Sequence, residues 1–95
     1  MQEKIKTLHP HGKNGVNMSR AKYDQLKTAV EKALQKGPLT FSQLLDKVQS
    51  DLSGHFEGSI SWYCEYVKLD LEARGLVKRV ENQKPQLLEL STSLP

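Results

Sequence analysis

Gly58-Ser-Ile-Ser-Trp-Tyr-Cys-Glu-Tyr-Val-Lys-Leu-Asp-Leu-Glu-Ala-Arg-Gly75 is the stretch that decides the fold, together with Leu76-Val-Lys-Arg-Val80 directly after it and Gln86-Leu-Leu-Glu-Leu90 beyond a polar turn. Ser59 is placed to cap a helix, and Gly75 is the residue type that ends one in the left-handed conformation. Advancing each residue 100° around the axis brings Tyr63, Cys64, Val67 and Leu71 within about 60° of Ile60, which makes a core-facing stripe. Trp62, Tyr66 and Leu69 fall on the opposite side, about 180° to 240° away, and Ser61, Glu65, Lys68 and Glu72 form a narrow polar strip between the two. This helix is therefore apolar on two faces. After Gly75, Leu76 and Val80 with Lys78 between them, and Leu88 and Leu90 alternating with Glu89, read as two short half-buried strands. Glu81 to Pro85 joins them.

Upstream, Tyr23, Leu26, Val30, Ala33 and Leu34 recur at spacings of three and four, so a helix is expected from a cap at Ser19 to a stop at Gly37 and Pro38. Thr40 with Gln43 three residues on is a capping box, opening a second helix whose inward face is Phe41, Leu44, Leu45, Val48 and Leu52. Ser53 to Gly58 reads as a loop in which Phe56 turns back to the core. Residues 1–18 hold few large apolar groups and are broken by Pro10, Gly12 and Gly15, so an arm or irregular loop is expected there. Residues 91–95 read as a frayed tail. Three helices followed by a C-terminal β-hairpin within residues 19–90 imply a mainly helical α+β domain of the winged helix-turn-helix kind, the simplest topology for that order.

Ninety-five residues allow one small core and no deep cleft. A formal charge of +3 and a pI near 9.1 are mildly basic, so the placement of charge matters more than its total. A single cysteine, Cys64, excludes an internal disulfide, and no apolar run approaches a membrane span. With no secretory or lipidation signal either, a reducing cytoplasm is the expected setting.

His9-Pro-His-Gly-Lys13, Tyr23-Asp24, Gly58 to Tyr63 and Val67 to Gly75 together resemble a small family of uncharacterised bacterial winged-helix proteins. The likeness covers most of the chain. It implies the winged-helix fold and carries no assigned activity. It also implies that the arm with His9 to Lys13 belongs to the domain.

Two functional readings follow from the residues. In the first, helix 59–74 and wing 76–90 bind nucleic acid, with Ser59, Ser61, Trp62 and Lys68 at the groove and Lys13, Arg20, Lys22, Lys78, Arg79 and Lys84 on phosphates. Duplex DNA is the first partner considered. Against it, Glu65, Asp70 and Glu72 place carboxylates on the same helix, where each one facing a phosphate adds repulsion. The cations are equally consistent with ordinary solubilising lysines. In the second reading, the stripe of Trp62, Tyr66 and Leu69 packs on a protein partner or a second copy, unless the hairpin and residues 1–18 cover it.

Metal binding is not expected, because His9 and His11 supply two ligands at most and His55 and Cys64 lie far along the chain. No nucleophile elbow, phosphate loop or carboxylate pair suggests catalysis, so a non-enzymatic protein without a cofactor is expected. Asp70 is expected to pair with Arg74 four residues on, or with a base from another element.

Overall fold

A computed structural model describes residues 3–13, 15–80 and 84–91. Its elements are β1 (Lys4–Lys6), β2 (Asn17–Ser19), α1 (Arg20–Leu34), β3 (Leu39–Thr40), α2 (Phe41–Leu52), α3 (Ile60–Ala73), β4 (Val77–Val80) and β5 (Leu87–Leu90). The result is a small α+β fold with three helices and two small antiparallel sheets.

The helix starts follow the caps read from the sequence. Ser19 Oγ accepts from the Lys22 N–H and Ser59 Oγ from the Trp62 N–H. At Thr40 both halves of the capping box are made, at 3.1 Å and 3.0 Å with Gln43. Each cap satisfies donors that a helix start otherwise leaves open, an effect of about 1 kcal/mol. Leu26, Val30, Leu44, Val48, Val67 and Leu71 are buried completely where the three helices meet. The expected inward faces are largely observed, although Ala29 is buried where Ala33 was expected to be and Ala33 only packs at the margin.

Strands are not confined to the C-terminus. Residues 1–18 were expected to be irregular, yet β1 and β2 pair there, with Lys4 opposite Ser19, Ile5 opposite Met18 and Lys6 opposite Asn17. This hairpin buries Met18 and Thr7, and Thr7 is bonded to Val16 through both its N–H and its hydroxyl. Gly15 makes that closure possible, since a Cβ there would stand 1.8 Å from the Thr7 carbonyl oxygen. Three-residue strands are too short to show a period, so the pairing left no pattern to read.

The second sheet has the order β3-β5-β4. Leu39 and Thr40 pair with Leu88 and Leu87, which makes β5 central and adds a strand that the sequence showed only as a helix cap. The hairpin also departs from its expected facing. Val77 is buried and Leu76 is exposed, although Leu76 was the residue expected to be half-buried. At the end of α3 the Gly75 N–H reaches the Glu72 carbonyl and the Leu76 N–H reaches the Leu71 carbonyl, with Gly75 at φ +78°. Such a Schellman closure takes Leu76 into the turn, and the strand period begins one residue later. The wing connection at 81–83 and the tail at 92–95 lie outside the described residues.

Candidate nucleic-acid interface

Of the ten residues assigned to a nucleic-acid surface, some gather at the amino end of α3 and others at its carboxyl end. At the amino end, Ser59 and Ser61 are exposed with their hydroxyls 3.1 Å apart. Trp62 follows, 40% exposed. Its indole rests against Tyr63, with ring centres 4.9 Å apart and planes at 79°, and against Tyr66 at 4.8 Å and 51°. Edge and tilted contacts of this kind suit the ring quadrupoles and hold the indole in place. Phe56 extends the cluster, meeting Tyr63 edge-on at 5.1 Å.

An ammonium from another helix joins this group. Lys22, in the first turn of α1, lies 5.2 Å from the Tyr63 ring centre and 5.6 Å from that of Phe56. It is also 3.8 Å from where a Cβ on Gly58 would stand, directly before the Ser59 cap. Cation–π contacts orient the Lys22 head without neutralising it. Arg20 occupies the same turn and pairs with Asp24 at 3.4 Å, both side chains largely in solvent. Such an exposed pair is worth well under about 1 kcal/mol and yields easily to a competing anion. Lys4 and Lys6 are exposed on β1, where Lys4 pairs with Ser19 at the start of α1 and Lys6 with Asn17.

The carboxyl end of α3 is arranged differently. Glu72 has a nearly buried side chain and takes two cations, Lys68 Nζ at 3.1 Å and Arg79 Nε at 2.5 Å. Burial alone would raise its carboxyl pKa, but the Arg79 and Lys68 contacts outweigh that and hold it below the usual carboxylate range. Lys68 also lies over the Phe41 ring at 5.4 Å, with only 12% of its side chain exposed. Its ammonium is thus engaged by Glu72 and the Phe41 ring. Lys78 pairs with Glu89 across the β4–β5 ladder at 3.6 Å. Of the assigned residues, Lys13 and Lys84 are exposed.

Asp70, expected among the surface carboxylates, is fully buried. One of its oxygens accepts from the Leu8 N–H at 2.8 Å; the other accepts from the Tyr23 hydroxyl and from Arg74 Nε at 2.8 Å. This carboxylate joins the segment after β1, α1 and the end of α3. Only the Arg74 contact, four residues on, was legible from spacing. Burial, followed by the bond to Asp70, pushes the Tyr23 hydroxyl up to about 12. Burial likewise pushes the Cys64 thiol up to about 12, so it behaves as a small apolar group.

The Trp62, Tyr66 and Leu69 stripe is only partly open. Tyr66 packs against the core and Leu69 is half-buried, so Trp62 is the member with the most open surface. Among the described residues, no three His, Cys, Asp or Glu side chains are gathered closely enough to hold a metal ion, and no helix is long and apolar enough to cross a membrane.

A small α+β domain with an exposed aromatic and a lysine at the head of its third helix is the class that fold and surface define. The chain belongs to a family of unknown function, DUF6958, whose model matches residues 4–88. No curated protein and no solved structure matches the chain.

Proposed function

We propose that this chain is a non-enzymatic, cytoplasmic nucleic-acid-binding domain of the winged helix-turn-helix kind. The order α1-β3-α2-α3-β4-β5, with β5 between β3 and β4, supports the fold assignment because it places a hairpin wing beside the third helix. One observation carries the function: Lys22 of α1 reaches the start of α3, over the Tyr63 ring and beside Gly58, where Ser59, Ser61 and Trp62 are exposed, and Lys4 and Lys6 are exposed on β1, which pairs with the strand leading into α1. A cation beside an aromatic offers a charge for the backbone next to a surface that can meet a base. The working surface is the amino end of α3. The wing contributes less, since Lys78 and Arg79 already face Glu89 and Glu72.

Anisotropy of labelled mixed-sequence DNA, paired and unpaired, at low and moderate salt tests this. Affinity is expected to fall steeply with salt and to drop about tenfold in a K4A/K22A double variant, with a shallower salt slope. Lys78→Ala is expected to change little. Absence of binding to either form at low salt would overturn the reading.

The exposure of Trp62 beside half-buried Tyr66 and Leu69 also supports a second reading, a contact with a protein partner or a second copy. Under that reading, sedimentation would show association that Trp62→Ala abolishes while the fold is kept.

A further inference from the structure

We infer that this surface prefers an unpaired nucleic-acid strand to a duplex, an inference that rests on the nucleic-acid reading. A helix that reads a major groove lies along it, so its whole exposed face passes between two walls of phosphate. The exposed face of α3 does not suit that position. Past Trp62 it presents Glu65, which is exposed and acidic, and then Lys68, which is drawn down onto Glu72 and the Phe41 ring. Only its first turn combines an open aromatic with a nearby cation.

A first turn of that composition suits a strand crossing the end of the helix. Trp62 is the single tryptophan of the chain, and Tyr63 and Tyr66 support it from two directions while 40% of its surface remains open. A supported aromatic is a platform for a splayed base, which a paired and stacked base cannot reach. Phosphates next to that base meet Lys22, whose ammonium lies over the neighbouring Tyr63 ring, and β1 adds the exposed Lys4 and Lys6 on the strand paired with the one that leads into α1. Charge complementarity and the aromatic therefore point to the same occupant, a flexible strand of a few nucleotides. Stacking is tolerant of base identity, so the preference is for unpaired structure and not for a sequence.

The test compares a labelled mixed-sequence oligonucleotide, unpaired and annealed to its complement, at one salt concentration, with anisotropy and Trp62 fluorescence read together. The unpaired form is expected to bind about tenfold more tightly and to quench the indole, as stacking requires. Trp62→Ala is expected to bring the unpaired form down to the duplex level, and Trp62→Phe to restore most of the difference. Should the alanine variant fail to fold, the fluorescence of the unaltered protein still decides. Equal or tighter duplex binding, or no change in the indole on saturation with the unpaired form, would overturn the strand preference while leaving nucleic-acid binding in place. Failure of both forms to bind would overturn the underlying reading as well.

Discussion

At its amino end α3 presents Ser59, Ser61 and Trp62 to solvent beside a lysine from α1; at its carboxyl end it gathers Asp70, Glu72 and Arg74 with partners from Leu8, Tyr23 and Arg79. The two ends have similar numbers of polar groups and differ in what meets them. At the carboxyl end every charge has an opposite charge or a donor within bonding distance, so its groups hold elements together and have little left for a ligand. At the amino end the charge is held by aromatic rings, which orient an ammonium and leave it positive. Charge counted along a sequence cannot separate these cases, because the distinction lies in the partner.

The largest effect that would break this contrast is on stability, at Asp70. Asp70→Ala leaves the Leu8 N–H, the Tyr23 hydroxyl and Arg74 without their acceptor, and removing one member of a buried charged network costs about 3–5 kcal/mol. Denaturant unfolding is expected to show that loss. A cost under about 1 kcal/mol would mean the carboxyl end is not the tie between the hairpin and the helices.

Stability should also fall on the alkaline side. Tyr23 and Cys64 are both held neutral in the folded chain, raised to about 12 from ordinary values of 10.0 and 9.0. A raised folded value means their contribution is complete below the unfolded value and is lost as pH rises toward the folded one. The decline is therefore expected to begin near pH 9 and continue to about pH 12, with Tyr23→Phe flattening its upper part. A thermal melting series across that range measures it.

Glu72 offers a more specific test. In the folded chain its carboxyl sits below its ordinary range, so its contribution is present at neutral pH and lost as pH falls through that depressed value. Glu72→Gln is expected to cost about 1–2 kcal/mol and, by releasing Lys68 and Arg79, to raise affinity for nucleic acid a few-fold. Unchanged affinity would show that ion pairing is not what silences this end. The smallest effect is expected at Lys78, whose pair with Glu89 is exposed. Lys78→Ala should shift stability by less than about 0.5 kcal/mol.

How much of this was legible in the sequence depended on whether the relevant physics was local. Caps and helix faces are decided within a turn, so Ser19, Thr40, Ser59 and the buried stripe through Cys64, Val67 and Leu71 could be read directly. The β1–β2 hairpin and β3 could not, since two or three residues carry no period and their partners lie elsewhere in the chain. The burial of Val77 in place of Leu76 was hidden because the Schellman closure consumes one residue before the strand starts. At the candidate site, Ser59, Ser61 and Trp62 were identifiable from their helix, and Lys22 from its charge. Its convergence with them, the burial of Asp70 and the capture of Arg79 by Glu72 depend on tertiary packing alone.

The measurement that bears most directly on the central claim is a backbone amide NMR titration with an unpaired mixed-sequence oligonucleotide at low salt. Shifts are expected to concentrate at Ser59 to Tyr63, around Lys22 and along β1, with Lys68 to Arg79 nearly still. Shifts centred on Lys68 to Arg79, or none at saturating oligonucleotide, would contradict the assignment of the amino end of α3 as the working surface.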